Sequence, residues 1–147
     1  MTQQQQQPAM FPVISLWQPY ASLVFERIKR HETRKRPPPL KYVGGYIALQ
    51  ATASFPPLKK ISEELHELCL DTFGCNYNHS LPFGCILGTV ILSGGIPTTE
   101  CQPANNDDRI AGDWSPGRFA WPLSEPTKFS TPIPAKGKQG WWRHECR

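Results

Sequence analysis

The segment from residue 27 to residue 34, RIKRHETR, gathers four cations around a single carboxylate. Within it, Lys29, Glu32 and Arg34 are spaced so that one acid can meet two cations. Because opposite charges favour the ionised form of a carboxyl group, Glu32 is a poor general acid. It is better suited to accept hydrogen bonds from an amine or a sugar hydroxyl, while Lys29 and Arg34 hold a phosphate or another acidic group. An internal salt-bridge network would use the same residues, and both interpretations stay open.

Cations are concentrated in one part of the chain. The net charge is only +4, yet seven of the sixteen Lys and Arg residues lie between Arg27 and Lys41, where Glu32 is the single acid. Such a cluster is typical of a phosphate-binding patch, because each neutralised phosphate releases condensed counterions. The pattern indicates a polyanionic partner without separating RNA from other anions.

A second basic group lies near the end of the sequence. Lys136 and Lys138 precede the adjacent pair Trp141 and Trp142, with Arg143 directly after. Cations beside aromatic rings can combine phosphate contacts with stacking of an unpaired base. Neighbouring residues of a strand point to opposite faces, so at least one of the two tryptophans is expected in the core.

Three further segments accompany the charged one: residues 15–21 (SLWQPYA), 112–118 (GDWSPGR) and 132–140 (PIPAKGKQG). Together and in this order the four segments resemble the ASCH family, small domains of the PUA-like superfamily implicated in RNA binding. The resemblance covers roughly residues 13 to 145. It implies a mixed β-barrel in which the charged signature lies beside an open cleft.

The family signature is written Gly-x-Lys-x-x-Glu-x-Arg, and Lys29, Glu32 and Arg34 fill its three charged places. Its glycine place holds Arg27. A glycine there would serve as a left-handed helix cap, so Arg27 either costs about 1 kcal/mol or ends the helix differently.

The function that the resemblance favours is a nucleic-acid-binding module, for single-stranded RNA or a nucleotide fragment in a basic cleft. Duplex DNA is disfavoured, because no helix pattern is basic along a whole face. Trp17 is expected to pack beneath the cleft. The predicted ligand-binding residues are Gln18, Lys29, Glu32, Arg34, Ser115, Arg118, Lys136 and Lys138.

The alternative function is a hydrolase of the ASCH type. Some bacterial relatives deacylate acetylated cytidine with a lysine, a threonine nucleophile and a glutamate, and Lys29 matches that lysine. The nucleophile's place coincides with Glu32, and Thr33 stands one residue further on. Ribonuclease activity is a second possibility, with His31 or His144 as the base. The catalytic candidates are therefore Lys29, Glu32 and Thr33.

Length and composition predict one domain. The chain has 147 residues, with sixteen prolines and eleven glycines, which indicates short elements joined by many turns. We expect an α+β fold: a small mixed PUA-like β-barrel with about two flanking helices. Residues 1–10, with a glutamine tract, form a predicted flexible arm, and residues 11–147 form the domain.

Hydrophobic periodicity places the elements that must position the signature. Helices are predicted from Pro19 to Ile28, carrying the signature at its end, and from Ile61 to about Cys69, stopped by Gly74. The region 96–113 is a predicted long loop. Predicted strands cover residues 13–16, 46–50, 85–92 as a central strand, 118–123 as an edge or bulged strand because of Pro122, and 139–145.

The remaining chemistry is sparse. Five cysteines without a Cys-x-x-Cys pair are interpreted as reduced thiols. His66, Cys69, Cys75 and His79 contain potential zinc ligands, but their spacing is not a standard one and no metal site is predicted. No cofactor, membrane segment or obligate protein partner is predicted, and the expected location is cytoplasmic.

Overall fold

The computed structural model describes residues 9–146, so most of the predicted arm, residues 1–8, lies outside the described part. Its last two residues, Ala9 and Met10, begin the first strand. The strands are β1 Ala9–Leu16, β2 His31–Arg34, β3 Tyr46–Ala51, β4 Cys85–Leu92, β5 Ile96–Pro97, β6 Phe119–Pro134 and β7 Trp142–Cys146. The helices are α1 Tyr20–Phe25, α2 Glu63–Phe73, α3 Tyr77–Ser80 and α4 Asn106–Ile110, and short 3-10 turns form at Leu40–Tyr42 and Leu58–Lys60.

The seven strands form one mixed sheet in the order β2-β6-β4-β3-β1-β7, with β5 paired to β6. β1 and β3 run parallel, with Val13 opposite Ala48, and the other pairs are antiparallel. The α+β class is thereby confirmed. No pairing within residues 9–146 joins β2 to β7, so closure of the sheet into a barrel stays a prediction.

The core follows the hydrophobic pattern of the sequence. β4 is buried along almost its whole length and lies between β3 and β6, which confirms it as a central strand. α1 packs against the sheet on one side and against α2 on the other. Val24 lies in the hydrophobic cluster formed by the strands, whereas Leu23 packs with Leu65 and Cys69 of α2. Complete burial of one such aliphatic side chain contributes roughly 1.5–3 kcal/mol. α1 therefore fixes α2 against the sheet.

α2 confirms the second predicted helix and its stop. The Ser62 hydroxyl accepts a hydrogen bond from the Leu65 backbone N–H, which caps the first turn. Leu65 and Cys69 are buried, as their helical spacing predicts. Gly74 ends the helix with φ of 96°, a conformation that favours glycine.

α1 ends earlier than predicted, at Phe25 rather than near Ile28. Arg27 takes a left-handed conformation with φ of 61°, the geometry that the family glycine would supply. The backbone N–H groups of Ile28 and Lys29 then both donate to the Leu23 carbonyl, closing the turn. Arg27 thus bears the cost of about 1 kcal/mol, and the chain turns directly into β2.

Residues 118–123 are predicted to form an edge or bulged strand; the edge is wrong, whereas the pairing of β6 with β4 does show a bulge-like register shift. β6 lies inside the sheet, with β2 and β5 on one side and β4 on the other, and Pro122 faces His31 in register. Pro122 lies beyond the last residue pair of β4 and β6, Leu92 and Leu123, and its carbonyl accepts a hydrogen bond from the Ser93 N–H. The predicted loop 96–113 also contains β5 and α4. No helix in the described part of the chain is long and apolar enough to cross a membrane.

Candidate functional site

A cleft of about 640 Å³ opens where the β1–α1 junction, β2 and the segment after α4 meet. This volume lies within the range of small-ligand sites. The cleft is lined by Ser15, Leu16, Trp17, Tyr20, Lys29, Glu32, Thr33, Arg34, Thr52, Lys60, Ser62, Leu65, Ile110, Ala111, Gly112, Asp113, Trp114 and Arg118. Lys29, Glu32 and Arg34 therefore converge in one cavity.

Lys29 lies at the base of the cleft and is only 2% exposed. Its Nζ donates to the Ala111 carbonyl at 2.6 Å and lies 3.4 Å from Oε1 of Glu32. The ammonium also lies 5.5 Å from the centre of the Tyr20 ring. Burial lowers the pKa of Lys29, and the charge of Glu32 opposes this shift only in part. With its bonds made inside the protein, Lys29 is placed to hold Glu32 in position.

Glu32 joins Lys29 to Arg34. Nε of Arg34 donates to Oε2 of Glu32 at 3.1 Å, while its Nη2 donates to the Ser15 carbonyl at 2.8 Å. The Arg34 guanidinium also lies 5.5 Å from the centre of the Trp121 ring. Its side chain still has 33% of its surface exposed, so part of the guanidinium faces the cleft. Arg34 is therefore a held cation with donors left for a ligand.

Arg118 approaches the same cleft from the chain after α4. Its Nη2 donates to the Thr33 carbonyl at 3.0 Å, and its Nε lies 3.5 Å from Oδ2 of Asp113. Among the described residues, Arg118 Nε is the one buried side-chain nitrogen or oxygen that makes no hydrogen bond. The acceptor near this nitrogen is the carboxylate of Asp113, so the two groups interact as an ion pair rather than through a hydrogen bond.

Thr33 and Asp113 connect β2 to this wall. The Thr33 hydroxyl accepts a hydrogen bond from the Asp113 backbone N–H at 2.9 Å. The Ser115 hydroxyl donates to Oδ1 of Asp113 at 2.6 Å, and this bond lowers the pKa of Asp113. Ser115 thus acts next to the cleft, through Asp113, without lining it.

Sequence reasoning missed Asp108 in α4, which holds the start of β2 in place beside the cleft. This carboxylate is completely buried and accepts hydrogen bonds from the backbone N–H groups of Arg30, His31 and Ala104. Its Oδ2 also lies 2.8 Å from Nδ1 of His31. Burial acts to raise the pKa of Asp108, but these hydrogen bonds outweigh it, and the pKa lies below its ordinary value.

Trp114 connects the His31–Asp108 pair to the cleft. Trp114, which lines the cleft, packs edge-on against the His31 ring at 5.2 Å and donates from Nε1 to the Asp108 carbonyl at 3.4 Å. Nε2 of His31 lies 3.8 Å from Sγ of Cys101. One local feature of the sequence could have indicated α4: Asn105 is a favourable helix N-cap residue. Its side chain accepts a hydrogen bond from the backbone N–H of Asp108, three residues later.

Gln18, Lys136 and Lys138 do not line the cleft. Gln18 is completely buried; its Oε1 accepts from the Ser22 N–H, and its Nε2 donates to the Ser22 hydroxyl and the Pro82 carbonyl. It is a structural residue that orders the start of α1. Lys136 and Lys138 are exposed on the segment before β7.

Trp17 differs from expectation, whereas the adjacent pair agrees with it. Trp17, expected beneath the cleft, is 46% exposed and lines it. The sequence predicts at least one of Trp141 and Trp142 in the core, and Trp142 is buried at 9% exposure, while Trp141 stacks on Trp121 at 6.1 Å. Sequence periodicity could not show the exposure of Trp17, because this residue lies between a strand and a helix where neither period applies.

The remaining candidate residues lie elsewhere. Nδ1 of His144, on β7, bonds the Glu145 carbonyl, and this histidine does not line the cleft. Nδ1 of His66 bonds the Tyr77 hydroxyl at 2.8 Å rather than a metal-binding partner. In residues 9–146, no three His, Cys, Asp or Glu side chains are grouped to hold a metal ion.

Comparison with known proteins agrees with this geometry. The family model of the ASCH domain matches residues 14–132, well over half of the chain, and this match includes the cleft. ASCH domains are PUA-like modules generally associated with RNA binding. No curated protein matches the chain. With the charged signature, the mixed sheet and this match in agreement, the chain belongs to the ASCH domain family.

Proposed function

We propose that the cleft binds single-stranded RNA or a nucleotide-sized fragment of it. The observation that carries this proposal is the convergence of Lys29, Glu32 and Arg34 with Arg118 around one open cavity of about 640 Å³. The association of ASCH domains with RNA supports the same ligand class. A PUA-like barrel around the cleft belongs to this proposal.

The charges of the cleft suit a small number of phosphates. Four cations line it, Lys29, Arg34, Lys60 and Arg118, against the two carboxylates Glu32 and Asp113, which leaves two positive charges. Arg34 and Arg118 keep 33% and 21% of their side chains exposed, so their guanidinium groups are the proposed phosphate or base contacts. Lys29 acts indirectly, by positioning Glu32.

Cations outside the cleft extend the surface that a longer strand would follow. Lys35, Arg36 and Lys41 are exposed on the segment after β2, and Lys136 and Lys138 are exposed before β7. A Cβ atom at Gly137 would come within 3.0 Å of the side chain of Gln50, which accepts a hydrogen bond from the Ser15 hydroxyl at the cleft wall. The second basic group is therefore proposed as a backbone contact beyond the cleft.

The salt-bridge interpretation coexists with this proposal, since the contact of Glu32 with Lys29 also ties β2 to the loop before it, and Arg34 ties β2 to the Ser15 carbonyl of β1. Five free cysteines fit a reducing compartment, and a cytoplasmic location is part of the proposal.

The alternative function is hydrolysis of an acylated nucleoside. The observation that favours it is the presence of Lys29, with its lowered pKa, and the Thr33 hydroxyl in the same cleft. Against it, Glu32 stands at the place of the family nucleophile, and a carboxylate there repels a developing oxyanion. We therefore place RNA binding first.

A fluorescence-anisotropy titration with labelled single-stranded RNA tests the proposal. Binding is expected at low salt and should weaken as salt rises, because phosphate contacts release counterions. A chain that binds no RNA even at low salt would contradict it.

A further inference from the structure

Among the residues that the structure describes, Trp17 is the one tryptophan that is exposed and has neither a ring nor a cation packed on its indole. Within residues 9–146, no aromatic ring or cation packs on the Trp17 indole, and its Nε1 donates to no protein acceptor. In contrast, Trp114 packs on His31, Trp121 and Trp141 stack on each other, and Trp142 is buried. An indole that is 46% exposed in a cleft is thus a large apolar surface left open to a ligand.

The position of Trp17 places this apolar surface in the same cleft as charged side chains. Trp17 directly follows Ser15 and Leu16 at the end of β1, and the Ser15 carbonyl accepts the hydrogen bond of Arg34. The Ala21 backbone N–H donates to the Trp17 carbonyl, which ties the residue to the first turn of α1. An exposed aromatic ring on a fixed backbone lies in the same cleft as two partly exposed guanidinium groups.

We propose that Trp17 is a stacking platform for one unpaired nucleobase, whose phosphate reaches Arg34 or Arg118; this inference rests on the proposed function. A base has a π-face for the indole and is joined to an anion for the guanidinium groups. A base within a duplex is stacked on its neighbours, so the platform selects single-stranded RNA. An aromatic peptide would use the indole alone and leave the guanidinium groups without an anion.

The test compares three variants by anisotropy with a short single-stranded RNA. Trp17→Leu removes the π-face and keeps apolar bulk, and Trp17→Phe keeps a smaller ring. Tyr46→Leu is the matched control, because Tyr46 is 48% exposed and lies outside the cleft. The second probe is the same sugar–phosphate chain without bases.

Trp17→Leu should weaken RNA binding roughly 5- to 140-fold, the fold change that corresponds to about 1–3 kcal/mol of base stacking. Trp17→Phe should retain most of the affinity and Tyr46→Leu all of it. The chain without bases should bind Trp17→Leu and the wild type equally, since phosphate contacts are unchanged.

RNA binding that is normal in Trp17→Leu, or lost equally for the chain without bases, would overturn the platform while leaving the cleft as an RNA site. A wild type that binds no RNA would overturn both. If circular dichroism shows that Trp17→Leu melts at a lower temperature than the wild type, fluorescence replaces the affinity measurement. RNA must then quench tryptophan emission in the wild type and quench it less in Trp17→Phe. Equal quenching in the two proteins would again overturn the platform.

Discussion

Nδ1 of His31 lies 2.8 Å from Oδ2 of Asp108, a contact between residues 77 positions apart in the sequence. Asp108 is completely buried in α4, and His31 begins β2, the strand that carries Glu32 and Arg34. The same carboxylate accepts hydrogen bonds from three backbone N–H groups. Asp108 therefore fixes β2 relative to the wall of the cleft that follows α4.

Asp108→Ala should lower the free energy of unfolding by about 3–5 kcal/mol, because it leaves several buried donors without an acceptor. Asp107→Ala is the matched control, since Asp107 is exposed in the same helix and should change stability by less than about 0.5 kcal/mol. Urea denaturation measures both. Equal effects of the two substitutions would contradict the assigned role of Asp108.

The wild type and Asp108→Asn should differ in how their stability depends on pH in acid. The pKa of Asp108 is depressed in the folded state, so its contribution is fully present above the unfolded value of about 3.9 and is lost as pH falls through the lower folded pKa. Asp108→Asn should remove this part of the acid dependence. Unfolding curves measured from pH 6 down to about pH 2 check this. If the free energy of unfolding falls with the same slope in the wild type and in Asp108→Asn, the assignment is wrong.

Much of this fold was predictable because its strongest signals are local. The apolar run of β4 and the helical spacing of Leu65 and Cys69 in α2 each identify their element without reference to the rest of the chain. The convergence of Lys29, Glu32 and Arg34 was also predictable, since they are separated by only a few residues.

The errors arose where distant packing decides. Pro122 indicated an edge or a bulge, and pairing with strands on both sides places β6 inside the sheet, with a register shift in its pairing to β4. Gln18 and Trp17 are neighbours at the β1–α1 junction, and the direction of that turn, absent from either periodicity, buries one and exposes the other. No local pattern links His31 to Asp108.

Arg34→Ala should weaken binding of single-stranded RNA roughly ten- to a hundredfold, because hydrogen bonds to charged groups contribute about 1.5–3 kcal/mol. Lys41→Ala is the control, since Lys41 is exposed, lies over the Tyr42 ring and does not line the cleft. Its effect should be several-fold smaller in anisotropy titrations. Equal losses would indicate a diffuse basic surface instead of a defined site.

Glu32→Gln separates recognition from simple charge. Removal of a negative charge should strengthen RNA binding if only electrostatics matter, whereas loss of an acceptor held by Lys29 and Arg34 should weaken it. We expect weaker binding, by about tenfold. The melting temperature must be measured alongside, because a purely structural network predicts a folding defect with unchanged affinity per folded molecule.

The chain should release no cytidine from acetylated cytidine above background. Glu32 occupies the place of the family nucleophile, and the Thr33 hydroxyl already accepts a hydrogen bond from the Asp113 N–H. Chromatography of the incubated nucleoside checks this expectation. Robust release that disappears in both Lys29→Ala and Thr33→Ala would make Thr33 the nucleophile and the chain an amidohydrolase.

The central claim is that single-stranded RNA binds in the cleft, and NMR mapping tests it most directly. Titration of the isotope-labelled protein with a short single-stranded RNA should shift the backbone amide signals of Glu32, Thr33 and Gly112 and the indole signal of Trp17, all of which line the cleft. The signals of Tyr46 and Glu67, exposed outside it, should stay in place. Saturable shifts confined to Lys136 and Lys138, with the cleft signals unchanged, would contradict the account.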